Sequence, residues 1–239
     1  MARSPLWASI ADALSQDIET GRYWVGDKLP TEAALAQRFG VNRHTVRHAL
    51  AAMAEAGKVH ARRGAGVYVV MVPAAYALGR RVRFHQNILA SGRAPSRQIL
   101  RLETRVADAA EIEALMLNAG AFVHVVEGLS LADAAPIALF RSIFPAAALP
   151  DFLHAMQETN SVTASLARSG VADYTRRSTA ISAIGADALI ALHLRLREGA
   201  PVLRTVAVNV DAAGRAVEFG TTYFAGDRVT VTLAGDDLG

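Results

Sequence analysis

One stretch of the chain, Pro30 to Val69, constrains what the rest can be; it begins PTEAALAQRFGVNRHTVRHALAAMAEAGK and closes VHARRGAGVYV. Thr31 is placed to cap a short helix in which Leu35 and Phe39 stand four apart on one face, and Gly40 is placed to stop it. Asn42 then opens a second helix whose Val46, Leu50 and Met53 fall at i, i+4 and i+7, the spacing of a buried stripe. That phase leaves Arg43, His44, Arg47 and His48 on the outer face near the N-terminal end. Two helices joined by a tight turn, the second exposing cations at its start, are what a helix-turn-helix needs to set side chains in a major groove.

The charge distribution agrees. From Arg38 to Arg105 there are 13 Lys or Arg against two acids, whereas from Val106 onward 15 acids face nine Lys or Arg. The basic part overlaps the two helices and suits a phosphate backbone; the acidic remainder needs no polyanion. With 239 residues and 52% hydrophobic composition, the chain can bury sizeable cores. No apolar run approaches the roughly 18 residues of a membrane span, and no secretory leader is visible. The absence of cysteine excludes disulfides, thiolate metal sites and Cys nucleophiles. The expectation is a cytoplasmic protein with no membrane contact, cofactor or metal.

Taken in order, Ser4 as N-cap and Pro5 at the first helical position start a helix carrying Leu6, Ile10, Leu14 and Ile18. Gly21 ends it, and the loop RYWVGDKLP leads into the two helices above. Val59 to Val70 reads as a hairpin turning at Gly64 and Gly66. Helix, helix, helix, hairpin is the order of a winged helix.

From Pro5 to Val70 the chain resembles the DNA-binding domain of the GntR family of bacterial transcription regulators, carried by GDKLPTEAALAQRFGVNRHTVRHAL and the wing RRGAGVYV. The resemblance implies that Arg43, Thr45 and Arg47 meet bases and phosphates and that Gly66 sits at the wing tip against the minor groove. Thr31, Glu32, His44, Arg62 and Arg63 complete the expected DNA-binding set. An ordinary solvated face is the alternative for the arginines, but a basic wing directly after them favours DNA. Two smaller motifs are set aside. GAG in the wing is followed by strand rather than by the helix of a dinucleotide site. His44 and His48 have metal spacing without a third ligand nearby.

Met71 to Gly79 reads as a linker, which divides the chain into a DNA-binding domain at 1–71, a linker at 72–80 and an effector-binding and dimerisation domain at 81–239. The run RRVRFHQNILASGRAPSRQILRLETR that follows is strongly basic. A solvated surface, a DNA contact beside the wing and an anion-binding loop are all compatible with it; His85, Gln86 and Asn87 after Arg83 favour the loop.

Residues 119–145 can be laid over residues 198–225. In each copy a Gly ends a helix, an apolar strand follows, a turn intervenes, and a second strand ends in an aromatic, Phe144 or Phe224. The offset is 79 residues in the first strand and 80 after the turn. Asp108 with Glu111 makes a capping box before one helix, and Asp187 starts the other. VADYTRRSTAISAI and RVTVTL add further strands. The fold class expected is α+β: a winged helix-turn-helix joined to an antiparallel-sheet domain.

From about Pro95 to Leu233 the chain resembles the ligand-binding (UTRA) domain of the HutC-type branch of GntR regulators, whose fold is similar to chorismate lyase. NSVTASL, RAVEFG and FAGDRVTV carry the likeness. It implies a small molecule held by Ser130, Ser161, Thr163 and Glu218. Ser161 also has a physical case, as an N-cap beside free amides; plain helix capping competes with it. Where sugar-phosphate-sensing members often carry an Arg pair, this chain has Gly128 and Ser130, which argues against an amino-sugar-phosphate effector or moves the anion contact elsewhere. GRRVRFHQN, EGLSLAD, PIALFRS and GVADYTR resemble the narrower PhnF-type regulators of phosphonate utilisation. That adds Arg83, Arg141 and Arg176 as cationic candidates and Tyr174 as a hydroxyl partner. The function implied is a homodimeric regulator, a repressor by expectation, that binds double-stranded operator DNA and a small anionic effector. A lyase-type enzyme is the rival, but there is no Cys, nucleophile elbow or metal cluster for it; an effector-independent DNA-binding protein is the third reading.

Overall fold

The first helix, α1 (Leu6–Glu19), starts from Pro5, which is its N-cap and makes no side-chain capping bond. Pro5 therefore stands one position earlier relative to the helix than the sequence suggested. The computed structural model describes residues 5–70, 73–79, 81 and 84–233, so the Ser4 cap lies outside it. Ile10 and Leu14 are buried, but Leu6 is 58% exposed, so the apolar stripe begins a turn later than its spacing implied.

Next come α2 (Glu32–Phe39) and α3 (Arg43–Glu55). Thr31 Oγ1 accepts from the Ala34 N–H at 3.2 Å, and Asn42 Oδ1 accepts from the Thr45 N–H at 2.8 Å. Gly40 between them takes a left-handed φ of 65°, a region where a Cβ is strained. Val46, Leu50 and Met53 close on Ile10, Leu14 and Leu35 in one core. The wing is β1 (Val59–Arg62) against β2 (Gly66–Val69), antiparallel. The preceding loop joins it: Leu29 N–H donates to Val67 O at 2.8 Å and Val69 N–H to Asp27 O at 2.8 Å. These elements form one compact unit, Met1–Pro73; a second spans Ala74–Gly239.

The stretch read as a linker is partly structured. Ala74–Ala77 is a strand, β3, with Ala74 and Tyr76 buried. Its residues are small or aromatic and alternate buried and exposed, so a strand forms once a partner is supplied. The anion-loop candidates His85, Gln86 and Asn87 lie instead on a helix, α4 (Phe84–Ala90), anchored by buried Ile88. Arg83 is outside the described residues.

The repeat unfolds as β4 (Pro95–Val106), α5 (Ala109–Leu115), β5 (Phe122–Ala132) and β6 (Ala135–Pro145). Two helices intervene, α6 (Phe152–Thr159) and α7 (Val162–Arg168). The second copy is β7 (Tyr174–Gly185), α8 (Ala188–Leu194), β8 (Pro201–Asp211) and β9 (Ala216–Ala225). The six strands form one sheet in the order β4-β5-β6-β9-β8-β7, with every neighbour antiparallel. The two copies thus meet at the β6–β9 seam. The last strand, β10 (Val229–Thr232), leaves this sheet and pairs in parallel with β3.

Alternation assigns the faces. One face carries Val126, Phe140, Phe144 and Val217 and packs on α6 and α7; further along, Ala138 and Phe224 meet β3, β10 and α4. Phe144 and Phe152 are fully buried with ring centroids 4.1 Å apart, each contributing about 1.5–3 kcal/mol by burial. The other face carries Leu129, Leu139, Val125 and Ile143 and is covered by α8 and α5.

α5 is anchored by a charged cluster. Asp108 and Glu111 form the full capping box, and Arg105 donates to both Glu111 oxygens at 2.7 and 2.6 Å. Burial pushes the Glu111 carboxyl up, but the Arg105 fork and the Asp108 N–H outweigh it and hold the group below its ordinary value. A depressed carboxyl pKa adds stability that is present above the unfolded value, about 4.3, and lost as pH falls through the folded one. Glu111→Gln is therefore expected to cost about 2 kcal/mol at pH 7 and progressively less below pH 4, read by urea unfolding followed by circular dichroism at both pH values.

Candidate functional site

The DNA-reading candidates lie on α2, α3 and the wing of the first unit. Arg43, His44 and Arg47 are exposed on α3, with Arg62 and Arg63 exposed on the wing. Thr45 is half-buried, and its hydroxyl donates to the Asn42 carboxamide at 2.9 Å, so it also serves the cap. Arg47 makes a two-pronged ion pair with Glu32, Nε to Oε1 at 3.1 Å and Nη2 to Oε2 at 2.8 Å. The Arg47 hydrogen bond holds the Glu32 carboxyl below the usual range. Glu32, one residue after the α2 cap, thereby fixes where the Arg47 fork points. His48 stacks on Trp7, centroids 4.6 Å apart. At the wing, Arg62 lies over the Tyr68 ring at 4.8 Å, and Gly66 has φ 112°. A Cβ there would fall 2.5 Å from Lys28 Cε. Lys28, overlooked in the sequence because it sits in a loop before α2, is thus placed against the wing tip.

The second unit contains a cavity of about 100 Å³ on the sheet face shared with α7, β3 and α4. Five expected effector residues line it: Ser130, Thr163, Tyr174, Arg176 and Glu218. Two do not. Arg141 lies on the opposite face, where its Nε pairs with Glu127 Oε1 at 3.0 Å; strand alternation gives the cavity Phe140 and Ser142 and excludes the residue between them. Ser161 uses its hydroxyl to accept from the Ala164 N–H at 3.3 Å, so capping α7 occupies it.

Residues that sequence reasoning missed complete the walls. Arg97 on β4 stands opposite Ser130 in the register, and its guanidinium lies 4.7 Å from the Phe140 ring centroid and 5.5 Å from that of Phe84. Among the described residues, no acceptor reaches its buried Nε. Burial pushes the guanidinium below its ordinary pKa, against the attraction of Tyr76, Glu218 and Tyr174. Among the described residues, Arg176 donates to neutral oxygens, Asn209 Oδ1 at 3.3 Å and Thr179 Oγ1 at 3.4 Å. Glu218 accepts from Ser142 Oγ and Asn209 Nδ2, both at 2.6 Å. Thr163 and Tyr174 share a hydroxyl–hydroxyl bond of 2.9 Å. The signals existed: Arg97 is in phase with inward Ile99, while Ser142 and Asn209 interrupt apolar strands.

Comparison with known proteins gives this geometry its setting. Residues 6–69 match the bacterial regulatory proteins of the gntR family, and residues 90–230 match the UTRA domain. The chain belongs to the GntR family, in its UTRA-bearing HutC-type branch. It is 37% identical over 236 residues to the HTH-type transcriptional regulator RB1450 of Rhizobium meliloti, covering 95% of this chain and 94% of that one. It is 30% identical over 228 residues to the probable transcriptional regulator PhnF of Escherichia coli, with the same coverage. The crystal structure of PhnF from Mycobacterium smegmatis superposes with a TM-score of 0.65 at 26% identity, covering 94% of this chain and 98% of that one. These relatives are transcription regulators rather than enzymes, and GntR regulators with UTRA domains bind DNA and small-molecule effectors. This GntR regulator is accordingly ligand-responsive. No helix among its described residues is long and apolar enough to cross a membrane.

Gly128 explains how the cavity accommodates its arginine. A Cβ at Gly128 would lie 2.5 Å from the Gln98 backbone oxygen and 2.9 Å from the Phe140 ring, the ring on which Arg97 rests. A larger residue there would displace both neighbours, so the cation comes from β4. Gly128→Ala is expected to destabilise the chain by about 1–3 kcal/mol through overpacking, measured by chemical denaturation.

Proposed function

We propose that this regulator is a repressor of genes for phosphonate uptake or metabolism, whose grip on operator DNA is loosened by a small phosphonate or phosphate-like effector. The observation that carries the reading is the pair of arginines, Arg97 and Arg176, that face the cavity with no carboxylate in ion-pair contact among the described residues. Half-buried cations with no carboxylate in ion-pair contact among the described residues suit an anionic ligand with several acceptor oxygens. The 30% identity to the E. coli protein named PhnF supports the phosphonate class.

In this reading the protein acts as a homodimer, because one winged helix reads a half-site and a two-fold operator engages two. Arg43, His44, Thr45 and Arg47 enter the major groove. Thr31 at the α2 cap meets the backbone, and Glu32 steers Arg47. Arg62, Arg63 and Gly66 reach the minor groove beside it, with Lys28 adding a phosphate contact. Effector binding changes operator affinity by the coupling energy, about 1–3 kcal/mol.

The test is fluorescence anisotropy of the purified chain on DNA from upstream of its own gene, at fixed salt, with and without phosphate and alkylphosphonates. Specific binding relieved by one of these supports the reading; binding indifferent to all of them removes the effector class. Arg47→Ala is expected to weaken operator binding by about 1–3 kcal/mol while leaving effector affinity unchanged. Arg97→Ala should do the reverse, preserving operator binding while abolishing its relief. Loss of both properties in either variant would assign that residue a structural role.

A further inference from the structure

The cavity is built by the internal repeat, and the repeat is broken at one charge. Phe122 and Pro201 open equivalent strands, an offset of 79 residues. At that offset Arg97 on β4 corresponds to Arg176 on β7, and Ser130 to Asn209. The register repeats the match: Arg97 stands opposite Ser130 as Arg176 stands opposite Asn209. One step further in, Ser130 faces Ala138, whereas Asn209 faces Glu218. A two-fold pair of cations is thus accompanied by a carboxylate on one half alone.

Those three are the charged residues of the lining. Among the described residues, no Lys, Arg or His lies within ion-pair distance of Glu218; it accepts only from the neutral Ser142 and Asn209 and retains acceptor capacity. A purely anionic ligand would draw on the arginines, Arg97 among them, whose charge Glu218 already feels, and would give this carboxylate no direct counter-ion. An adjoining lobe of about 50 Å³ shares Arg176, Asn209 and Glu218 with the main cavity, so the arginine end and the carboxylate end are continuous. At about 10–15 Å³ for each water-sized group, the main cavity accommodates roughly seven to ten such groups. That is the scale of a phosphonate with a chain of two or three carbons.

We infer that the effector is a small zwitterion, an aminoalkylphosphonate or its phosphate-ester counterpart, with its anionic group at Arg97 and Arg176 and its ammonium group at Glu218. This rests on the anionic-effector reading above and adds the amine. An ammonium donates to a carboxylate through charge-assisted hydrogen bonds, and Ser142 and Asn209 keep that carboxylate oriented.

Isothermal titration calorimetry on the full-length protein tests it with three probes: 2-aminoethylphosphonate, n-propylphosphonate, in which a methyl replaces the ammonium, and inorganic phosphate. The aminoalkyl probe is expected to bind about 10- to 100-fold more tightly than the propyl probe. Glu218→Gln keeps the side chain's shape and should shrink that ratio to near one, chiefly by weakening the aminoalkyl probe. The comparison on the wild-type protein needs no variant, so it stands if Glu218→Gln misfolds. Equal affinity of the two phosphonates for the wild type overturns the zwitterion while leaving the anionic effector intact. Binding of none of the three overturns the anionic reading itself. A ratio that survives in folded Glu218→Gln overturns the assignment of Glu218 to the amine.

Discussion

Side-chain alternation across the six-stranded sheet is the constraint on which the effector unit depends. Even-numbered positions of β6 such as Ala138, Phe140 and Ser142 face the cavity side, while Leu139, Arg141 and Ile143 face α5 and α8. A one-residue slip would exchange the two sets, sending the Glu127–Arg141 ion pair into the cavity and Ser142 out of it. Bulges adjust the alternation where the cavity needs it. They fall between Ile99 and Arg101 and between Ser130 and Leu131, and again between Arg176 and Ser178 and between Asn209 and Val210. The bulge between Asn209 and Val210 is that between Ser130 and Leu131 displaced by 79 residues, whereas the β7 bulge falls two residues earlier in the repeat than its β4 counterpart. Irregularity that recurs at equivalent positions belongs to the design of the site.

Most of the fold was legible because its signals are local. The caps at Thr31, Asn42, Asp108 and Asp187 each bond as their residue types imply. The α3 stripe and the duplicated hairpins follow from period alone. What failed were statements about partners. Ala74–Ala77 looks like a linker because nothing in AAYA says that a strand from the far end of the chain, β10, will pair with it. Likewise, Arg141 and Arg97 are both arginines in strands, and composition does not separate them. Phase does: Arg97 falls with Pro95 and Ile99 on the less exposed face of β4, and Arg141 falls between two cavity residues. Extended one strand upstream, the 79-residue repeat pairs Arg97 with Arg176 in the sequence itself.

The cavity also shows why charge and packing cannot be assigned separately. Arg97 is held over two aromatic rings and opposite a small serine, and both arrangements depend on Gly128 leaving room for Phe140. Cation–π contact stabilises a guanidinium by about 0.5–2 kcal/mol. That offsets only part of what burying it costs, and under the anionic-effector proposal the remainder is recovered when the ligand binds. A site left short of its counter-charge binds tightly when the charge is supplied, at the expense of stability in its absence. On this argument the unliganded effector unit gains stability with effector in the manner of any linked equilibrium.

Communication with DNA then requires that the effector favour one conformation over another, since equal affinity for both shifts nothing. Covalent connectivity narrows where that difference can be felt. The first unit ends at Pro73, and β3 begins immediately after it. Tyr76 of β3 lines the cavity beside Arg176 and Glu218, and its ring packs on Phe224 at 4.9 Å. β3 belongs to a two-stranded parallel pair rather than to the six-stranded sheet, and small pairs of this kind draw their stability from what packs on them. Ligand contacts that tighten the packing of Tyr76 act on a strand with a single four-residue pairing among the described residues, which is also the strand through which the chain enters from the winged helix. A cavity-lining strand and the connecting strand are therefore the same few residues, so a ligand in this cavity has a short covalent route to the DNA-binding unit.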